Sequence, residues 1–176
     1  MKVFPGAEVQ TLAECVPGQL VRSLEYGQAD RLGIVFDAVD NEQKLRGIVE
    51  ILGDVPAFEV EQQPDQMYVL AYSGKVVWDV DHNGPIETNA RVLFDKSGAL
   101  ICGKDGWILN VASSQGYGMS RTRMQFNLTT GGLDRYRERL NKVAIFGAWS
   151  ISLEETDNPR DRRLKMADFI IKSGAN

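Results

Sequence analysis

Four glycine-ended tripeptides punctuate residues 67–111: Tyr72-Ser73-Gly74, His82-Asn83-Gly84, Lys96-Ser97-Gly98 and Lys104-Asp105-Gly106. No other feature constrains the fold as strongly. Glycine suits the last position of a three-residue hairpin loop, which takes the left-handed backbone region that a Cβ disfavours. Reading each tripeptide as a loop sets Leu70 opposite Val76, Tyr68 opposite Trp78, Val80 opposite Ile86, Val92 opposite Cys102 and Cys102 opposite Ile108. Even-numbered residues then share a largely apolar face: Tyr68, Leu70, Val76, Trp78, Val80, Ile86, Val92, Phe94, Leu100, Cys102 and Ile108. A slip of one residue would turn that set to solvent. The pattern predicts an antiparallel meander.

The flanks extend the β reading. Residues 18–24, 31–36, 45–52 and 57–61 are four short β-rich runs separated by turn signals, as in a small sandwich or barrel. Residues 1–14, with Pro5 and Gly6, are expected to form a loose arm or an edge strand. Gln62-Gln63-Pro64-Asp65-Gln66 is a polar candidate linker, because its proline cannot donate to a central ladder. It divides an N-terminal β-rich lobe (1–62) from a main antiparallel β-domain with a C-terminal helix (67–176), with one continuous domain as the alternative.

Beyond the meander, Met124, Phe126 and Leu128 alternate with polar residues as in a half-buried strand. Leu133, Tyr136 and Leu140 have the spacing of a short amphipathic helix carrying Arg135, Arg137 and Arg139. Residues 142–154 predict one long strand with Gly147 in its middle. Asn158-Pro159 opens a C-terminal helix over 158–172, Asn as cap and Pro in the first turn, with Leu164, Ala167 and Ile171 as its apolar stripe. The fold class is therefore mainly β: an antiparallel meander, sandwich or barrel-like domain with a short arginine-rich helix and a C-terminal helix.

Composition excludes several function classes. A chain of 176 residues with 43% hydrophobic and 25% charged side chains has the make-up of a globular domain, not of a disordered segment. No apolar run approaches the length of a membrane span, and the N-terminus lacks a signal-peptide core, so a cytoplasmic location is the expectation. Cys15 and Cys102 form neither a disulfide framework nor a zinc site, and Cys102 is expected on the core face as an inert thiol. His82 is the one histidine and falls in a predicted turn, a poor place for a nucleophile's base. Phosphate-loop and dinucleotide motifs are absent. Net charge is −4, but residues 1–90 hold six basic and 15 acidic side chains and residues 91–176 hold 14 and nine, which divides it into −9 and +5. Such polarity suits head-to-tail association, and equally two solvated faces.

Three residue groups are candidate sites. Residues 112–123 form the longest polar loop, in which Tyr117, Met119, Arg121 and Arg123 could meet a ligand or partner. Arg135, Arg137 and Arg139 are a candidate basic face. The run from Asp79 to Glu87 resembles the opening of an EF-hand calcium loop, with Asp79, Asp81 and Asn83 at the first, third and fifth positions, Gly84 at the sixth and Glu87 at the ninth. Ala90 stands where the loop needs its bidentate Glu, and the flanks read as strands. No cofactor is expected apart from this calcium candidate. The functional expectation is a non-catalytic β-rich module that binds a protein partner or forms a homo-oligomer. The alternative is a carboxylate-based hydrolase or carbohydrate-binding protein using Asp79, Asp81 and Glu87. Nucleic acid is disfavoured by the acidic chain and a membrane by the absence of a span.

Overall fold

The computed structural model describes residues 6–24, 31–40, 43–81, 96–104, 106–113, 123–135, 143–154 and 163–171. Their elements are all strands: β1 (Ala7–Thr11), β2 (Leu20–Ser23), β3 (Leu32–Asp40), β4 (Gln43–Glu50), β5 (Ala57–Glu61), β6 (Tyr68–Tyr72), β7 (Lys75–Val80), β8 (Leu100–Gly103), β9 (Gly106–Ser113), β10 (Arg123–Asn127), β11 (Leu133–Arg135), β12 (Ala144–Phe146), β13 (Ala148–Glu154) and β14 (Arg163–Ile170). The four N-terminal runs read from sequence are β2 to β5, and the N-terminal arm supplies edge strand β1. Among the described residues no helix is long and apolar enough to cross a membrane.

The main sheet runs β1-β6-β2-β3-β4-β5-β9-β10-β11, with β8 on β9 and β12 on β8. Among the described ladders of this sheet the β5–β9 pair is parallel and the others are antiparallel. The sheet curls until its far end meets its middle, where Asp37 of β3 bridges Gly132 beside β11. A second sheet, β14-β13-β7, lies against it. Strand pairing crosses the 62–66 turn, since β6 joins β1 and β2 while β5 joins β9.

The main sheet has two apolar faces. Leu20, Leu32, Ile34, Phe36, Val49 and Tyr72 face the larger core, which Trp149, Ile151, Leu153, Ala167 and Phe169 of the second sheet complete. Val21, Val35, Ile48, Val69 and Ala71 face the other way and pack under Leu12 and Cys15. Strands buried on both sides read as apolar runs without alternation, and this is what misleads a parity argument.

The predicted meander needs correction in three places. β6 and β7 do not pair with each other; β6 joins β1 and β2, and β7 joins β13. Tyr72-Ser73-Gly74 is thus a crossing between sheets. Gly74 is absent from the glycines with positive φ, and a Cβ there would lie 2.8 Å from Leu153 Cγ and 2.9 Å from the Glu154 carbonyl oxygen. Close approach to β13 accounts for this glycine. In the β8–β9 hairpin Cys102 faces Trp107, not Ile108, and Gly103 faces Gly106, so the loop is one residue shorter than predicted. The slip leaves the apolar pattern intact because Ala99, Leu100, Ile101, Leu109 and Val111 are all fully buried. In β6 the even face meets the larger core at Leu70 and Tyr72, but Tyr68 is 59% exposed and the odd residues Val69 and Ala71 are buried on the other face. Gly98 and Gly106 do take positive φ, 88° and 100°. The partners Ile86, Val92 and Phe94, and the His82-Asn83-Gly84 loop, lie outside the described residues.

Neither predicted helix is seen among the described residues, which exclude 136–142, 155–162 and 172–176. Arg163–Ile170 is strand β14, and Leu133–Arg135, the start of the arginine-rich helix, is strand β11. The helical spacing of Leu164 and Ala167 has a β explanation. Ile151 pairs with Ala167 and the next residue, Ser152, with Lys165, which leaves Met166 as a bulge. A bulge shifts the inward set by one residue, so a strand imitates an i, i+3 stripe. The long strand over 142–154 is two strands. Ile145 in β12 and Trp149, Ile151 and Leu153 in β13 are all buried, as parity expects, but at Gly147 the chain leaves the main sheet for the second.

Candidate functional site

Two surface features are built entirely from described residues. The first is the edge at β1. Ser73 N–H donates to the Gly6 carbonyl and Leu12 N–H to the Met67 carbonyl, each at 2.8 Å. Hydrogen-bonded pairs recur at every second residue of an antiparallel ladder. With Glu8 opposite Ala71 and Gln10 opposite Val69, the peptide groups of Ala7, Val9 and Thr11 therefore point away from the sheet. Glu14 closes one end of this edge: its carboxylate accepts from Thr11 N–H and Thr11 Oγ1, both at 2.9 Å. These bonds hold the Glu14 carboxyl below its ordinary range. Ala7 and Val9 form the other, open end.

The apolar face of the sheet continues onto that edge. Ala7, Leu20 and Tyr72 belong to or pack against the main core. One step along, Val9 faces Leu70, and beyond them lie Tyr68 and Leu24. Val9 is 63% exposed, Tyr68 59% and Leu24 45%. The core-facing pattern of β1, β6 and the end of β2 thus runs out into solvent beside a partly open edge.

The second feature is a cleft of about 380 Å³ between the two sheets. Ile34 and Phe126 form its main-sheet side and Val76 and Trp78 of β7 its second-sheet side, with Leu128 and Thr129 beyond β10 and Ser73 and Gly74 at the crossing. Residues 16–19 form the remaining wall. That wall is tied to β3: Gly18 N–H donates to the Val35 carbonyl at 2.8 Å and Val35 N–H to the Gln19 carbonyl at 2.9 Å. The Gln19 amide is fixed at both ends, accepting from Val16 N–H at 3.0 Å and donating to the Tyr72 carbonyl at 3.3 Å. Trp78 packs on Trp149 (centroids 5.1 Å apart), which stacks on Phe169 (5.1 Å) and donates from Nε1 to the Gly98 carbonyl at 2.8 Å.

Arg46 of β4 anchors the turn that precedes this wall. Nη1 donates to the carbonyls of Ala13 and Cys15, each at 2.6 Å, and to that of Leu12 at 3.3 Å. Nε and Nη2 make a two-point pair with Asp37 at 2.8 and 3.1 Å. Under this turn Cys15 is buried, and burial pushes its thiol pKa up, opposed by the nearby Arg46 charge. A second guanidinium, Arg31, bridges Glu59 and Glu50. Burial disfavours its charge, but the two carboxylates outweigh that and raise its pKa.

The sequence-predicted sites are only partly placed. Asp79 lies on β7, where Arg163 Nη1 approaches it to 3.5 Å and Ser152 Oγ to 3.4 Å. A basic side chain thus faces this carboxylate, supplied by β14 across the second sheet. Asp81 follows β7 and donates its N–H to the Ala148 carbonyl at 3.1 Å. Asn83 and Glu87, the other calcium candidates, lie outside the described residues, as do Tyr117, Met119, Arg121, Arg137 and Arg139. Among the described residues no group of three or more His, Cys, Asp or Glu is placed to hold a metal. Arg123 and Arg135, read as parts of two separate sites, lie on the paired strands β10 and β11, where Arg135 pairs with Met124, the neighbour of Arg123.

Sequence reading missed the exposed Val9–Tyr68 face and the cleft. Alternation in β1 and β6 signals two faces but not where the core ends, and the cleft is assembled from segments distant in sequence. No protein-family model, curated protein or solved structure matches the chain.

Proposed function

We propose that this chain is a non-catalytic β-rich module that acts through protein–protein association, with a second copy of itself as the partner at the β1 edge. The observation behind this reading is the exposed apolar continuation of the core face, with Val9 63% and Tyr68 59% exposed, next to outward-pointing peptide groups at Ala7 and Val9. An edge of this kind invites strand addition. Val9 is the centre of a five-residue strand. Antiparallel pairing about a twofold axis through Val9 sets Glu8 against Gln10 of the other copy and so avoids opposed carboxylates. In this register Ala7 falls opposite Thr11 of the other copy and its N–H meets the Thr11 carbonyl, while the Thr11 N–H stays with Glu14.

Size-exclusion chromatography with light scattering, run over a wide range of protein concentration, tests this. A dimer mass that rises with concentration is expected, lost in a Val9→Lys/Tyr68→Lys double variant that melts at the wild-type temperature. A monomer at every concentration, or a dimer that the double variant leaves unchanged, overturns it.

A further inference from the structure

The inter-sheet cleft carries a second inference, independent of the β1 edge. In a chain with 25% charged residues, none of the twelve described residues that line this cleft is charged. An occupant bearing a charge would give up part of its water shell without receiving a partner from these residues. The occupant is therefore neutral. It is not purely apolar either, because Gln19, Ser73 and Thr129 are among the lining residues.

One wall is an aromatic platform. Trp78 leans on Trp149 at an interplanar angle of 56°, Trp149 stacks on Phe169, and the Trp149 bond to Gly98 keeps that pair in place. A flat indole matches a ligand with an apolar C–H face, while hydroxyls and amides at the rim match a ligand edge bearing hydroxyl groups. The 380 Å³ volume lies at the small end of the range for ligand clefts. Fixed walls lower the ordering cost of binding. From these features together we infer that the cleft binds a neutral saccharide, with one sugar ring on Trp78 and its hydroxyls directed to Gln19, Ser73 and Thr129.

The test is titration of the full chain with maltotriose, cellotriose, mannotriose and triacetylchitotriose to about 10 mM, near the weak limit of measurable affinity. Binding is read by calorimetry and tryptophan fluorescence, with trigalacturonate and a decaproline peptide as controls. Expected is binding of at least one neutral trisaccharide and none of trigalacturonate, with at least a tenfold loss in Trp78→Ala. Because Trp78 also packs on Trp149, a second variant, Thr129→Lys at the exposed lip, is expected to lose at least tenfold without a change in melting temperature. Absence of binding by every saccharide, saccharide binding that survives both variants, or Trp78-dependent binding of decaproline alone would overturn the inference.

Discussion

Replacing Arg46 by Met should cost about 3 kcal/mol and open the 12–15 turn. The guanidinium makes two 2.6 Å bonds to the Ala13 and Cys15 carbonyls, and bonds from a charged donor contribute about 1.5–3 kcal/mol each. Its Asp37 pair adds under about 1 kcal/mol, because Asp37 is 48% exposed. Met retains the aliphatic packing but none of these bonds, and the turn relaxes toward water, so the lower part of the summed range applies. At this chain length about 3 kcal/mol lowers the melting temperature by roughly 6–12 °C. Thiol labelling of Cys15 in a Cys102→Ser background provides the local readout. Loss of the Arg46 charge alone would raise the Cys15 pKa and slow labelling. Faster labelling therefore reports opening. Arg46→Lys should rescue little, since an ammonium cannot span Asp37 and three carbonyls. A loss below about 1 kcal/mol with unchanged Cys15 labelling would refute the anchor.

Three further outcomes follow from other residues. Glu14 has a folded-state pKa depressed below its ordinary 4.5, so its contribution is present above pH 4.5 and is lost as pH falls through the folded value; Glu14→Gln should remove that part of the acid-side fall in melting temperature, and a profile parallel to wild type would speak against the Thr11 bonds. Gly98 and Gly18 share a positive φ (88° and 86°), but a Cβ at Gly98 would meet the Phe169 ring at 2.2 Å while at Gly18 nothing lies within 4 Å; chemical denaturation should show Gly18→Ala costing about 1 kcal/mol and Gly98→Ala at least about 2 kcal/mol more. Arg163→Gln should shift stability by less than about 0.5 kcal/mol, because Arg163 and Asp79 are about half exposed at 3.5 Å; a loss above about 1 kcal/mol would mean that the pair is structural.

Local chemistry in this sequence was legible, while long-range pairing was not. Strands β2 to β5 stand where Gly, Pro and polar turns delimit β-rich runs, and Gly98 and Gly106 take positive φ as expected. Gly74 shows the limit: a glycine required by neighbouring Leu153 and Glu154 is indistinguishable, in sequence, from one required by a turn. The β14 bulge at Met166 hid a strand behind helical spacing. Of the candidate sites, Asp79 lies beside Arg163, which stands 84 residues away in sequence and which no local pattern announces. Val9 and Tyr68 looked like ordinary strand residues because exposure depends on where the second sheet ends.

The most direct measurement of the association reading is amide hydrogen exchange at single-residue resolution along β1, in dilute and in concentrated protein. Glu8 and Gln10 bond β6 and Thr11 bonds Glu14, so their protection should not change with concentration. Ala7 and Val9 should exchange freely when dilute and become protected as copies pair. Exchange at Ala7 and Val9 that is equally fast at both concentrations would contradict strand addition at this edge.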